Sequence, residues 1–493
     1  MSSNSNSNSN GATANVRLDD FAVSFPAQVE DEFAAAYGAA HWEKIKRALV
    51  TPTGYTAVRV NTMRWKREEA LIKLRAALAA FNERLVQETQ RSAVEPYVHP
   101  LLSDVIVIPS APRMEPHVEY DANMKSIIVD RLCGEAVLRG SDIYARGIMS
   151  ASSGINAEDR VNVFVDLDHS NTRGSHAEGH TGRKLLIAHG TTKMARTEMF
   201  RAQRGLAITS LVRVCSDAPS MNGVLNGKVY TQNLPSTVVA HVLNPQEGEC
   251  IIDMCSAPGG KSSHVATLMK NKGILVACDR SKRKALELQK LFADLEYDSV
   301  IPLKMDSTHS VLPQTDGPIL SVREVIERAR QTTPAKAHLL QIDGFYPETF
   351  DKVLLDPPCS ALGLRPRLLH AGDADNLAEY ASMQRNFLWA ALYLLKPGGT
   401  LVYSTCTINP KENEQMVRHA LDNYPLALEP QPIHIGDTGL LNQGLSAEEA
   451  ALVQRFDPSN SDLDTMGFFC AKFTKTKSIR EPAAAAVVHE TRS

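Results

Sequence analysis

The 493 residues are 43% hydrophobic and 22% charged, an ordinary globular composition with enough chain for two or three domains, which excludes a single small module. Lys plus Arg number 53 against 56 Asp plus Glu, a net charge of -3. The molecule as a whole therefore does not attract nucleic acid or an anionic membrane, and any RNA contact has to use local basic patches. The cysteines, at 133, 215, 250, 255, 278, 359, 406 and 470, lie far apart in a chain much larger than disulfide-stapled domains and form no C-x-x-C pair, so reduced thiols and no metal are expected.

Residues 1–24, opening with MSSNSNSNSNGATAN, lack the features of a signal or transit peptide and are expected to form a disordered tail. No run of about 18 apolar residues argues for a membrane span, and without a targeting signal the cytoplasm is the expected location, nuclear entry staying open. Residues 25–103 form a small α/β element. Phe33, Tyr37, Trp42, Ile45 and Leu49 keep helical spacing up to a Thr51-Pro52-Thr53-Gly54 turn, YTAVRVN (55–61) alternates like a strand, and 68–86 returns to a helical period. From 104 to 206 short β-type runs (DVIVIP, RVNVFVDLD, RKLLIAHG) alternate with turns and predict a compact β-rich module. Its His/Gly/Ser/Asn-rich stretch from Asp168 to Gly182 reads as a mobile loop rather than a histidine metal site, because its histidines lack paired ligand spacing. Residues 211–476 alternate strand and helix signals and predict a parallel, doubly wound sheet with its ligands at the carboxyl ends of the strands. Residues 477–493 read as a loose tail.

Three motifs sit at predicted strand ends. In CIIDMCSAPGGKSSHVATLM a buried strand runs into Cys255-Ser256-Ala257-Pro258-Gly259-Gly260-Lys261 and then a helix. Glycines at such a turn let the backbone approach a ligand closely, but neither the phosphate-loop nor the dinucleotide spacing is present, which favours a nucleotide-like ligand without a long phosphate chain. Asp279, about 20 residues on, ends the next strand where a carboxylate accepts ribose hydroxyls, and Asp306 follows the third, within reach of an adenine amino group. Together the three ends indicate an adenosyl cofactor. The other motifs are Asp356-Pro357-Pro358-Cys359 and Ser404-Thr405-Cys406-Thr407. Most cysteines are simply small buried apolar residues; Cys359 and Cys406 differ in lying at strand ends facing one cleft. Carbon 5 of cytosine is too weak a nucleophile to take a methyl group unaided, so a thiolate must first add to carbon 6, helped by a hydrogen bond or proton at N3, for which Asp356 is placed.

The SAPGGK, LLDPPCS and VYSTCT segments resemble the signature of the NOP/Sun-domain RNA 5-methylcytosine methyltransferases. RVNT (59–62), QNLPS (232–236) and RFDPSNSDLDTMGFFCAKF extend the likeness over residues 25–476, and CGEAVLRGSDIYARGIMSAS (133–152) resembles a PUA RNA-binding domain. The resemblance implies a Rossmann-like α/β methyltransferase domain with a small N-terminal α/β element and an inserted PUA domain, and S-adenosylmethionine as cofactor. It further implies Cys406 as nucleophile, Cys359 as the cysteine that helps release product, and cofactor contacts from Cys255, Ser256, Ala257, Pro258, Gly259, Gly260, Lys261, Asp279, Lys284, Asp306 and Asp356, with Lys261 also within reach of the base. The PUA-carrying branch implies a monomer acting near the CCA end of tRNA acceptor stems and on some messenger RNA sites. Two departures stand out: Ala361 replaces a glycine usual in the family, and 309–347 is longer than expected, containing the helical segment VREVIERARQ, read as a surface insertion.

Two rival readings stand beside this one. Asp356-Pro357-Pro358 resembles the D/N-P-P-aromatic motif of methyltransferases that act on exocyclic amino groups, but the aromatic position is Cys359 and a second crevice cysteine exists. A non-catalytic RNA-binding factor is disfavoured by the joint presence of Lys261, Asp279, Asp356, Cys359 and Cys406. Arg280, Lys282 and Arg283 read as a solvated face. Arg365 and Arg367, and Arg139, Tyr144 and Arg146 in the β-rich module, are candidates for RNA contacts or equally for ordinary surface and core residues.

Overall fold

The computed structural model describes residues 15–16, 18, 21–89, 92–111, 118–215, 218–219, 221, 223–313, 318–334, 337–370 and 374–479; the two expected tails lie largely outside them. The helical pattern of 25–50 is two helices, Ala27–Tyr37 and Ala39–Val50, broken at Gly38, which takes φ +83°. Their buried faces (Val29, Phe33, Trp42, Ile45, Leu49) join a cluster shared by the β-rich module and the catalytic layer residues Leu362, Leu368 and Ile408, not the core around the strand that follows them, and Tyr37 Oη donates to the Ile408 carbonyl. That strand, Tyr55–Val60, lies between Val105–Pro109 and Val229–Thr231 in a four-stranded antiparallel sheet completed by Tyr97–Val98. Helices Arg67–Ala77 and Ala79–Thr89 cover it through Ala70, Leu74, Leu78 and Leu85. Residues 25–103 are thus not one unit.

The boundary at 104 needs the same correction. Val105–Pro109, expected to begin the β-rich module, pairs with Tyr55–Val60 and buries Ile106 and Ile108 beside Val58 and Val60. The module's own sheet runs from Lys125–Val129 to Leu206–Arg213, with Ile143–Tyr144, Ile148–Ala151, Arg160–Asp166 and Lys184–Thr192 between them and Asn15–Val16 on an edge. Helix Arg131–Leu138 starts where the Asp130 carboxylate accepts the Cys133 N–H. The stretch 168–182, expected to be mobile, is tied down. The Arg173 guanidinium donates to the carbonyls of Ala145, Arg146, Ile148 and Met199, and His180 is buried.

In the third sheet the strands are ordered Val300–Lys304, Ile274–Asp279, Cys250–Asp253, Phe350–Leu355, Leu395–Thr405, Phe468–Lys475 and Leu426–Leu428, with Gln454–Phe456 on Phe468–Lys475. The first five are parallel and the rest antiparallel, so the sheet is mixed. Helices Leu234–Leu243, Gly260–Leu268 and Lys282–Asp294 bury Val238, Val265 and Leu288 on one face. Val322–Thr332, Ala374–Leu394 and Glu414–Asn423 cover the other. Helix Val322–Thr332 comes from the stretch read as a surface insertion. Val322 and Ile326 are buried against the sheet, and Ser321 and Glu324 close a capping box, so this segment is a crossover helix of the doubly wound layer. Strand order reverses between Cys250–Asp253 and Phe350–Leu355, and ligands bind at such a switch point. Among the described residues no helix is long and apolar enough to cross a membrane.

The Asp104 carboxylate joins the N-terminal sheet to the catalytic layer: it accepts from His241 Nε2 at 2.8 Å and His264 Nε2 at 2.7 Å. Burial holds His264 down at about 4, with the Arg59 charge adding to the effect.

Candidate active site

Parallel register aligns the strand ends. Asp253 pairs with Ala277 and Leu354, Asp279 with Lys304, and Leu355 with Tyr403, so Asp253, Asp279, Asp306, Asp356 and Ser404 emerge along one rim. The first turn is shaped from beneath by Asp253, which accepts Cys255 N–H at 3.2 Å and Ser262 Oγ–H at 2.5 Å, while Ser262 Oγ also meets Ser256 Oγ. Burial raises the Asp253 carboxyl to about 6. Gly259 sits at φ +102°, and a Cβ there would come within 2.5 Å of Leu291 and 2.9 Å of Leu288. A side chain would therefore push the loop off helix Lys282–Asp294.

Asp279 and Asp306 each spend one oxygen on their own turn. Asp279 Oδ1 accepts Ser281 N–H at 2.8 Å, and Asp306 Oδ1 accepts the Thr308 N–H and hydroxyl. Among the described residues no hydrogen bond occupies the second oxygen of either, and Lys284 Nζ stands 3.9 Å from Asp279 Oδ2. The two acceptors on a rim beside a backbone cradle fit an adenosyl group, which would meet Asp279 and Asp306 with its hydroxyl and amino donors and have Cys255 to Lys261, Lys284 and Asp356 around the remainder.

Cys359 and Cys406 are brought together, their Sγ atoms 3.4 Å apart. Either thiol can be the donor in this contact. The hydrogen bond with Cys359 holds the Cys406 thiol below its ordinary acidity range, with the Lys261 charge helping, while Cys359 is pushed well above it by the same bond and by burial. Burial also raises Cys133, Cys250, Cys255, Cys278 and Cys470. Among the described cysteines with displaced acidity, Cys406 alone is moved toward the thiolate, the form that attacks carbon. Lys261 Nζ lies 2.7 Å from Asp356 Oδ2, and Ser404 Oγ donates to Asp356 Oδ1 at 2.7 Å. Burial works against the Lys261 ammonium, but the Asp356 carboxylate outweighs it and raises the lysine's pKa. Asp356 thus holds the Lys261 ammonium on one oxygen and the Ser404 hydroxyl on the other.

The arginines after Cys359 face inward, contrary to a role on RNA phosphates. Arg365, 5% exposed in its side chain, donates to the carbonyls of Thr51, Pro458 and Thr465 and pairs with Asp464 at 2.9 Å. Three chain segments cross there and leave carbonyls that only a guanidinium fork can fill together. Arg367 donates to the Ala361 carbonyl. Ala361 takes φ +53°, the left-handed region that the family's glycine enters freely and that costs a side chain about 1–2 kcal/mol. Arg280, Lys282, Arg283 and Lys284 are exposed, with Arg283 paired to Glu287. Arg139, Tyr144 and Arg146 are exposed on the module. The sequence reading passed over Asp253, Ser404, Gln384 and Glu412. The first two stand in strand-end motifs it quotes; the last two carry no motif spacing.

A cradle and two carboxylates on a doubly wound sheet, beside a polarised thiol pair, define a methyltransferase that works on a carbon of a nucleobase. Residues 240–474 match the family model described as 16S rRNA methyltransferase RsmB/F, and residues 125–211 match the PUA domain. The chain is 35% identical to the rRNA (cytosine-C(5))-methyltransferase NOP2C of Arabidopsis thaliana, over 91% of this chain and 90% of that one. It is also 35% identical to the tRNA (cytosine(72)-C(5))-methyltransferase NSUN6 of Mus musculus, over 89% and 91% respectively. A crystal structure of NSun6 from Pyrococcus horikoshii with SFG aligns with a TM-score of 0.71 at 29% identity, covering 92% of this chain and 99% of that one. The chain belongs to the RsmB/F (NOP/Sun) family of S-adenosylmethionine-dependent RNA cytosine-5 methyltransferases, in the form that carries a PUA domain.

Proposed function

We propose that this enzyme methylates carbon 5 of a cytosine near the acceptor end of tRNA, with Cys406 as nucleophile and Cys359 as the cysteine that assists release. The observation that carries the mechanism is the 3.4 Å thiol pair, set at two strand ends beside the Lys261–Asp356 ion pair. The thiolate adds to carbon 6, forming a C–S bond and moving the electron pair of the 5,6 double bond toward carbon 5 and N3. The Lys261–Asp356 pair supplies the hydrogen bond or proton at N3. The cradle would hold S-adenosylmethionine, whose sulfonium methyl carbon 5 would take as the S–CH3 bond breaks and the neutral thioether S-adenosylhomocysteine leaves. The carbon 5 proton then leaves to Cys359, once that thiol has given up its own proton, or to a water it orders. The double bond re-forms and the C6–S bond breaks, returning Cys406 as thiolate.

Three features support tRNA. The mouse relative of near-equal length is a tRNA enzyme, the PUA domain is an RNA-binding unit, and a cavity of about 320 Å³ lies between PUA domain and catalytic layer, lined by Arg139, Tyr55, Asn233, Leu364 and Thr465. One chain supplies the whole constellation, which fits a monomer, and eight free thiols fit the reducing cytoplasm. The Arabidopsis relative named for rRNA favours a ribosomal target as the second reading.

The test incubates wild type, Cys406→Ala and Cys359→Ala with S-adenosylmethionine and either tRNA transcripts or rRNA fragments, and resolves protein–RNA adducts on denaturing gels. Cys359→Ala accumulates an adduct with tRNA and Cys406→Ala forms none. An adduct persisting in Cys406→Ala overturns the assignment of the nucleophile; adducts with rRNA alone overturn the tRNA reading.

A further inference from the structure

Behind the thiol pair, Glu412 is fully buried yet carries a carboxylate, and four donors converge on it. Ser360 N–H reaches Oε2 at 3.0 Å and Gln384 Nε2 at 2.9 Å, while Ser360 Oγ reaches Oε1 at 2.5 Å and Asn409 Nδ2 at 3.0 Å. Burial raises its pKa, and these donors pull it back toward the charged form. A carboxylate whose acceptor sites are filled this way is a fixed post. Gln384, tied to that post, also donates to the Pro358 carbonyl at 3.0 Å, and its own carbonyl oxygen accepts from Tyr403 Oη at 3.0 Å. Pro358 and Ser360 are therefore both clamped, and the residue between them is Cys359. Ser360 Oγ further meets Thr407 Oγ1 at 2.7 Å, joining the loop to the residue after Cys406. Asn409 caps the short turn Pro410–Glu412 that presents the carboxylate.

We infer that Glu412 is a positioning residue for product release: through Ser360 and Gln384 it holds the Cys359 loop so that the Cys359 thiol stays against Cys406. The inference rests on the roles proposed for the two cysteines. Cys406 follows directly on strand Leu395–Thr405, whose last residue is in the sheet, whereas Cys359 lies four residues past strand Phe350–Leu355, in a stretch without regular structure beside the left-handed Ala361. Loss of the post moves Cys359 more than Cys406. It slows removal of the carbon 5 proton and departure of Cys406 more than it slows attack.

The experiment follows adduct formation and adduct resolution separately, in single turnovers of the full-length enzyme with a tRNA transcript and S-adenosylmethionine, for wild type, Glu412→Gln, Glu412→Asp, Ser360→Ala and Cys359→Ala. In Glu412→Gln an amide N–H meets donors it cannot accept from. That variant forms adduct within about threefold of the wild-type rate and resolves it at least about tenfold more slowly, about 1.4 kcal/mol. Glu412→Asp recovers part of the release rate. Ser360→Ala, which removes one donor and keeps the backbone one, shows the same split to a smaller degree and decides the matter if Glu412→Gln does not fold. Equal slowing of formation and resolution, or release at the wild-type rate in both Glu412→Gln and Ser360→Ala, overturns the inference. If Cys359→Ala itself accumulates no adduct, the underlying reading of the cysteines fails instead.

Discussion

Lys261, Asp356, Ser404 and Gln384 in the catalytic crevice are wholly or partly buried, and each is held by a named partner. On the PUA domain Arg139, Tyr144 and Arg146 lie exposed, with Tyr144 57% accessible. The first arrangement prepays the ordering of groups that must meet a transition state. The second keeps its groups in water until a partner arrives, as suits phosphate and base contacts that mainly position an RNA. On the proposed roles, chemistry is built into a held wall and recognition is laid on a surface.

The strongest way to break this contrast is in the crevice. Asp356→Asn removes the charge that holds Lys261 and leaves one acceptor oxygen where Lys261 and Ser404 now use two. It is expected to lower single-turnover methyl transfer by roughly 10²- to 10⁴-fold, with RNA affinity in a filter-binding assay nearly unchanged. A comparable loss of affinity would show that the wall also does the binding.

The next effect is on stability. His264 is held down at about 4 against an ordinary 6.5, so between those values the unfolded chain binds a proton that the folded one refuses. The contribution is complete above pH 6.5 and is lost as pH falls toward 4, with a slope of up to about 1.4 kcal/mol per pH unit. Calorimetry should show the melting temperature falling through this window, and the fall should flatten in His264→Gln. An identical acid profile in that variant would place the sensitivity elsewhere.

The smallest effect belongs to the surface. Tyr144→Ala and Arg146→Ala should each raise KM for tRNA by roughly tenfold, with kcat unchanged, an exposed contact standing at the low end of the about 1–3 kcal/mol that contacts of this kind contribute. A fall in kcat would mean that these groups help to organise the crevice.

The strand ends were legible because buried parallel strands read as unbroken apolar runs, and CIIDM, ILVACD and FDKVLLD each close on an acid at the rim. Proximity of the two cysteines followed from the same rule. Contacts between distant segments were not legible. Val105–Pro109 looks like the start of the β-rich module until its partner Tyr55–Val60 is known. Arg365 looks like a phosphate contact until carbonyls from Thr51, Pro458 and Thr465 arrive around it. A helical period runs on through Gly38 although the backbone does not. Glu412 is invisible for the same reason: its donors come from residues 360, 384 and 409.

One bond ties the two regions of the opening contrast. The Leu368 N–H, in the loop that follows Cys359, donates at 3.0 Å to Glu135 on helix Arg131–Leu138 of the PUA domain, and Leu362 and Leu368 sit in that domain's core. On the proposed roles, the domain that would hold the RNA and the segment that carries Cys359 share one framework. The span between them is then set by the protein, and a nucleotide would reach the cysteines by its distance along the RNA as much as by the identity of its base.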